Sequence, residues 1–260
     1  MVELVKRHPS KKIYTASKIP PKNFQWPAKP EYAFEDSYPT AHIMDYTHKT
    51  LKNLGLEQID LMQFHTWDDV WSDREEWQRA IEDLKTSGKI SAMGISMNRW
   101  EPENGIKALK TGLLDAVQVI YNIFDQAPVD TLFPLCKEMD IATIARVPFD
   151  EGTLTGTMTK ETTFPEGDWR GTYFVPENLI SSVEHADALR PLIPEGMTMA
   201  EMALRFILMN DNVSTTIPGM RKQRNVLANT ATSDGNALSA ELYEELKKHR
   251  WDRVPTSWSQ

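Results

Sequence analysis

The sequence predicts an α/β protein built on a parallel sheet. Two observations predict it: six short apolar, strand-like segments recur along the 260 residues, and helical segments alternate with them, as parallel connections require. A third observation favours a barrel over a doubly wound sheet, since no GxGxxG follows the first strand.

Residues 12–19 (KIYTASKI) read as the first strand. The stretch PPKNFQWPAKPEYAFEDSYPT that follows is rich in proline and aromatics and too long for a plain connector, so it is expected to bind something or act as a lid. A helix over 41–54 places Ile43, Thr47, Leu51 and Leu54 on one face, with Gly55 as its C-cap. Residues 58–64 form the next strand. Ser72 with Glu75 makes a capping box before a helix in which Trp77, Ile81 and Leu84 recur at helical spacing, and Gly88 ends it. Strand 90–95, helix 102–109, strand 116–121, helix 129–139 and strand 141–147 continue the alternation. Residues 149–178 carry proline, glycine and aspartate throughout and read as a second binding loop. Helices at 179–189 and 199–209 follow, the second opened by a Thr198 and Glu201 capping box. A last strand at 213–217, a short helix at 222–229 behind Gly219 and a terminal helix at 240–249 complete the order.

Composition narrows the function. With 40% hydrophobic and 25% charged residues and eight tryptophans, a packed core is expected rather than disorder. A formal net charge of -8 offers no basic face for nucleic acid or an anionic membrane. Cys136 is the only cysteine, so no internal disulfide and no thiolate metal cluster can form. No apolar run reaches a membrane span and MVELVKRHPSKK lacks a signal peptide's apolar core, so a cytoplasmic protein is expected.

Chemistry in a barrel sits at the C-terminal ends of the strands, and Lys18, His65, Ser96, Gln118 and Arg146 all fall there. Each has a plain alternative. A histidine ending a strand is often a hydrogen-bonded structural residue, Lys18 can be a solvated strand end, and Ser96 can cap a helix. Gln118 can satisfy buried backbone groups and Arg146 can pair with a carboxylate. Their recurrence at equivalent places in successive βα units points to a site.

The segments KIYTASK, LKNLGLEQIDLMQFH, LKTSGKISAMGIS, DAVQVIYN, ARVPFDEGTLTG and VSTTIPGMRKQRNVLAN stand in the order and spacing of the aldo-keto reductases, which the chain resembles over nearly its whole length. The resemblance implies a TIM (β/α)8-type barrel forming a single domain over 1–260. It implies metal-independent hydride transfer from a nicotinamide cofactor, NADPH with NADH possible, to an aldehyde or ketone, so the implied partner is a small-molecule carbonyl substrate. Lys18 and His65 match two members of the catalytic tetrad, the imidazole orienting the carbonyl and supporting protonation of its oxygen. Ser96, Asn98 and Gln118 match contacts to the nicotinamide carboxamide, and Arg146 stands where many relatives have a tyrosine stacked on that ring. Pro148, Phe149, Gly152 and Leu154 match the lining of the pyrophosphate. Ile217, Gly219, Arg221, Asn225 and Asn229 match the adenosine end, with Arg221 the partner for a 2′-phosphate.

The family's tetrad also holds a tyrosine, the general acid, and an aspartate that pairs with the lysine, both from the preceding strand. One βα unit takes roughly 30 residues, which puts those positions upstream of Met1. MVELVKRHPS resembles the tail of the family's second helix, so the barrel is expected to be incomplete, with about six strands, edges at 12–19 and 213–217, and activity impaired. Tyr14 shares a strand face with Lys18 but lies deeper, a poor substitute acid. Two other readings stand beside the reductase: a nicotinamide-binding sensor or subunit without turnover, and an unrelated barrel that binds a phosphorylated metabolite. The aromatic loop with Phe24, Trp26, Tyr32 and Phe34, plus Trp67, Trp71 and Trp169, either receives a ring-bearing substrate or packs the barrel rim. The tail HRWDRVPTSWSQ either folds over the substrate mouth or caps the terminal helix.

Overall fold

Strand β1 (Ala16–Ile19) is shorter than the apolar run that contains it, because Thr15 turns its backbone N–H and hydroxyl to the Asp60 carboxylate at 2.8 and 2.9 Å. The expected start at residue 12 is therefore four residues early. The computed structural model describes residues 2–259, apart from the side chains of Val2 and Val5; the expected upstream tyrosine and aspartate lie outside the described residues. Two compact units are present, one of residues up to 118 with 138–142, the other of 119–137 with 143 onward.

In the first unit β1 lies parallel to β2 (Ile59–Phe64), β2 to β3 (Ile90–Ser96), and β3 to the start of β4 (Ala116–Ile120). The register pairs Lys18 with Gln63, Gln63 with Gly94, Gly94 with Ala116, and Ser96 with Gln118. Because strand side chains alternate, these residues share one face of the sheet, while Ile19, Phe64, Ile95 and Val117 share the other and are fully buried. Helix α1 (Val2–Arg7) precedes β1, α2 (Phe34–Ser37) lies inside the aromatic loop, and α3 (Thr40–Leu54) follows. Gly55 ends α3 in the left-handed conformation, φ 68°, donating to the Leu51 carbonyl, as its glycine led one to expect. Helix α4 (Glu75–Thr86) buries Trp77, Ile81 and Leu84 completely, each worth about 1.5–3 kcal/mol on leaving water.

The expected capping box before α4 does not form. Arg74 occupies the cap position, and Ser72 instead closes a single 3₁₀ turn at Asp69–Trp71, its hydroxyl donating to Asp69 at 2.8 Å. The helix expected at 102–109 shrinks to α5 (Ile106–Leu109). Asp69, a side chain with acceptors only, draws the N–H groups of Lys107 and Ala108 at 2.8 and 3.1 Å and so fixes where that helix begins.

In the second unit the sheet continues from β4 to β5 (Ala142–Arg146) and β6 (Thr215–Thr216), β5 and β6 parallel. The last strand is short by its ladder pairs, yet Ser214 N–H and Ile217 N–H still donate to Thr143 and Ala145 carbonyls, so the apolar run 213–217 is used nearly whole. Helix α6 (Leu132–Glu138) starts later than the expected 129, where Ala127–Val129 forms a 3₁₀ turn around Pro128. The loop expected over 149–178 contains a 3₁₀ segment at Asp150–Thr155, helix α7 (Arg170–Tyr173) and the first turn of α8 (Pro176–Leu189). Pro176 opens α8, where a missing N–H costs nothing. Thr198 caps α9 (Met199–Leu208) by accepting from Glu201 N–H at 3.1 Å, and α10 (Gln223–Ala231) and α11 (Ala240–Lys247) follow. The core of this unit holds Tyr121, Phe124, Phe133, Leu154, Met202 and Phe206, and the buried Tyr121 hydroxyl accepts from Asn210 at 2.9 Å.

Candidate active site

Four of the expected residues meet on one face of the first unit's sheet. Lys18 is half-buried near the end of β1. His65 follows β2 directly, its N–H donating to the Ile19 carbonyl at 3.0 Å, so the residue stays in the ladder while its ring is exposed. Ser96 ends β3 and is buried. Gln118 is also buried but sits in the middle of β4 rather than at its end, because β4 starts opposite Gly94 and the strand ends are staggered. Between them the face is floored by small residues. A Cβ on Gly94 would lie 2.6 Å from the Ala116 carbonyl oxygen, so only glycine allows this approach. Gln63, paired with Lys18, keeps its buried Oε1 without a hydrogen-bond partner among the described residues. A buried acceptor left unmade costs about 1–3 kcal/mol, so this one marks a place for a donor.

Asn98, expected at the carboxamide, makes its hydrogen bonds in this structure within the protein. Its Nδ2 donates to the Ala28 carbonyl at 3.0 Å and to Glu101 at 2.8 Å, while its Oδ1 accepts from Thr66 Oγ1 at 2.7 Å and Ala28 N–H at 3.3 Å. An amide side chain has two donor hydrogens and two acceptor positions, and all four are taken. Asn98 thus clasps the aromatic loop at Ala28, helped by Thr66, whose backbone exchanges hydrogen bonds with the buried Tyr38 hydroxyl at 3.0 and 3.2 Å. Burial lifts the Tyr38 phenol well above the usual tyrosine range.

The aromatic residues divide into a buried set and an exposed set. Phe34, Trp67 and Trp71 are buried in a cluster with Tyr38, Phe64 and Trp77, and the Trp71 indole donates to the Tyr32 carbonyl at 2.9 Å. Phe24, Trp26 and Trp169 are exposed, and Trp26 sets its ring 5.5 Å from His65, edge to face. Tyr14 is 69% exposed outside β1 with Lys12 over its ring.

The remaining expected residues lie in the second unit. Arg146 ends β5 half-buried, its carbonyl accepting from Tyr121 N–H at 3.4 Å. The segment after it is contorted: Val147, Asp150 and Glu151 have φ of 55°, 45° and 56°, and Gly152 has 128°. For a β-branched valine this is an uncommon conformation, costing on the order of 1–3 kcal/mol, and it persists only where surroundings enforce it. Pro148 is buried and Phe149 half-buried. The Gly152 and Leu154 amides, expected to face a pyrophosphate, donate instead to the Phe149 carbonyl at 2.8 and 3.1 Å, and the Leu154 side chain belongs to the core. Past β6, Ile217, Gly219 and Arg221 are exposed, Asn225 is half-buried, and buried Asn229 donates to the Gly219 carbonyl at 3.2 Å.

One cluster escaped the sequence reading. Arg253, from the tail, donates to Asp125 Oδ2 at 2.5 Å and Asp150 Oδ1 at 2.8 Å, and all three side chains are nearly inaccessible to solvent. Asn122 supports Asp125 at 2.9 Å and holds the Val147 carbonyl at 3.0 Å, and Thr153 donates to Asp150 at 2.6 Å. Burial pushes the Asp125 carboxyl above the usual carboxylate range, against the pull of Arg253 and with a push from Asp150. The tail is fastened further by Arg250 to Asp130, by Trp251 N–H to the Phe124 carbonyl at 2.9 Å, and by Trp251 stacked on His185 at 4.0 Å. It is a strap on the second unit. The basic and aromatic composition of HRWDRVPTSWSQ was the available signal; the distant partners of its arginines, Asp125, Asp130 and Asp150, more than a hundred positions away, were not readable.

Among the described residues no three His, Cys, Asp or Glu side chains are grouped to hold a metal ion, and no helix is long and apolar enough to cross a membrane. Residues 2–250 match the model of the aldo/keto reductase family. An NADH-specific methylglyoxal reductase of Escherichia coli is 28% identical over 218 residues, 79% of this chain and 65% of that protein. The aldo-keto reductase YhdN of Bacillus subtilis is 30% identical over 187 residues, 70% of this chain and 55% of that protein. The chain thus matches under two thirds of the length of both. A glycerol dehydrogenase of Gluconobacter oxydans, AKR11B4, superposes with a TM-score of 0.74 at 25% identity, covering 95% of this chain and 76% of that one. The holo form of the aldo-keto reductase AKR11C1 of Bacillus halodurans gives 0.73 at 24% identity, covering 99% and 79%, a likeness of fold.

Proposed function

The chain belongs to the aldo/keto reductase family, and from that premise we propose that it is an oxidoreductase passing hydride between a nicotinamide dinucleotide and an aldehyde or ketone. The observation that carries this reading is the polar row on one sheet face, Lys18, His65, Ser96 and Gln118, beside the unpartnered acceptor of Gln63. A row of neutral donors and acceptors with one amine suits a carboxamide and a carbonyl oxygen. Its family span also supports reading the chain as one domain of that kind.

A bound nicotinamide would supply the hydride in this mechanism. Ser96 and Gln118 would hold its carboxamide, so that one ring face is presented to the substrate. His65 orients the substrate oxygen and supports delivery of a proton to it, and Lys18 contributes positive charge where negative charge develops. Arg146, at the end of β5, would offer a planar guanidinium where many relatives have an aromatic residue. The loop at Pro148 and Phe149 would take the pyrophosphate, and exposed Arg221, with Gly219 and half-buried Asn225 on the same segment, would take a 2′-phosphate, which favours NADPH. We place the protein in the cytoplasm, acting on a small carbonyl compound.

The test is titration of the purified chain with NADPH and NADH by tryptophan fluorescence, beside NADPH oxidation with a panel of aldehydes. Saturable binding with turnover that disappears in His65→Ala supports the reductase. Binding without turnover replaces it with a cofactor-binding protein, and absence of binding in a folded chain overturns both.

A further inference from the structure

The tail strap ends on the same loop that the proposed function gives to the cofactor pyrophosphate. Arg253 grips two aspartates at once, one in the 122–125 turn and one inside the contorted 147–156 segment, in a site closed to solvent. The segment is also held by Asn122 at the Val147 carbonyl, by Thr153 at the Asp150 carboxylate and by Arg190 at the Gly156 carbonyl, each a single hydrogen bond. Asp150 itself sits at φ 45°, so the residue whose side chain is held is one whose backbone must be held. Charge points the same way. Arg253 sets a positive charge between two buried carboxyl groups, and without it Asp125 and Asp150 would face each other uncompensated beside an anionic ligand group. Trp251 lies against both Arg253, 4.5 Å from its ring, and His185, which seats the strap before the ion pair is reached.

We propose that Arg253 is a positioning residue for the cofactor: through Asp150 and Asp125 it holds the 147–156 loop in the shape, and at the charge, that a dinucleotide pyrophosphate requires. The inference rests on the proposed function and assigns that loop's control to the far carboxyl-terminal segment. It predicts a loss specific to ligands that contain the pyrophosphate.

The experiment compares wild type, Arg253→Ala, Arg253→Gln and Arg253→Lys in fluorescence titrations with NADPH, with ADP-ribose, and with reduced nicotinamide mononucleotide, which has no pyrophosphate. Thermal unfolding is followed on the same samples. Arg253→Ala should bind NADPH and ADP-ribose at least roughly tenfold more weakly while the mononucleotide is unaffected, and added guanidinium ion at low concentration should restore part of the loss. If Arg253→Ala does not fold, Arg253→Gln carries the test, since its amide keeps a donor but no charge and should show the same ligand pattern, whereas Arg253→Lys keeps an ammonium that can donate to both carboxylates, as Nη2 alone does, and should stay close to wild type. Unchanged NADPH affinity in folded Arg253→Ala or Arg253→Gln overturns the proposal, as does an equal loss for all three ligands without rescue. Failure of the wild type to bind any of them overturns the proposed function and this inference with it.

Discussion

Replacing Asn98 with alanine should loosen the aromatic loop rather than erase a ligand contact. The variant removes two donors and two acceptor positions from a place where Asn98, Ala28 and Thr66 are 5%, 4% and 2% exposed. Ala28 N–H keeps Thr66 Oγ1 at 2.9 Å, so it remains satisfied. The Ala28 carbonyl loses the 3.0 Å bond from Nδ2, and the Thr66 hydroxyl loses its 2.7 Å acceptor. Each buried group left unmade costs about 1–3 kcal/mol, and water entering the space recovers part of it, so about 2–3 kcal/mol of destabilisation is expected. Urea unfolding measures the sum, and limited proteolysis locates it, with new cleavage between residues 20 and 39. A loss under about 0.5 kcal/mol with no new cleavage would refute the clasp, since such a value is that of an ordinary surface change.

Three further outcomes are expected. Gly94→Ala puts a methyl 2.6 Å from the Ala116 carbonyl oxygen, a clash with backbone that cannot swing aside, so a drop of about 1–3 kcal/mol in thermal unfolding experiments is expected, with Gly219→Ala as a control for a glycine that has no neighbour within 4 Å and no positive φ. Asp168 is forked by Arg170 at 3.0 and 2.6 Å and is held down to about 2, below its ordinary value near 3.8, so its contribution to stability is present above pH 4 and lost as pH falls through about 2; the difference in unfolding midpoint between wild type and Asp168→Asn should be constant from pH 7 to 4 and vanish near pH 2. Burial pushes the Cys136 thiol up to about 12, so native protein at pH 8 should react with a disulfide reagent far more slowly than urea-unfolded protein, and equal rates would contradict its burial.

The legible part of this protein is what local pattern controls. Helix α3 with its Gly55 stop, the Thr198 cap and the six strand positions follow from periodicity and capping chemistry, which act over a few residues. Pattern misled where a polar side chain had a stronger distant partner. Asp60 ends the ladder at Thr15, Asp69 takes Ser72 away from its capping box, and the same carboxylate delays α5. The tryptophans show the same limit, since Trp26 and Trp67 look alike in sequence and only packing makes one exposed and the other fully buried.

By itself the sequence determined the alternation of strands and helices, the family, and which residue types stand at the strand ends, because these depend on order and spacing along the chain. Tertiary structure decided what those residues are free to do. Register put Lys18, Gln63, Ser96 and Gln118 on one face, hydrogen-bond capacity turned Asn98 into a clasp, and chain reversal brought Arg253 to Asp125 and Asp150. The physical reason is that a side chain's role is fixed by which partners satisfy its donors, acceptors and charge, and in this protein many of those partners are distant in sequence.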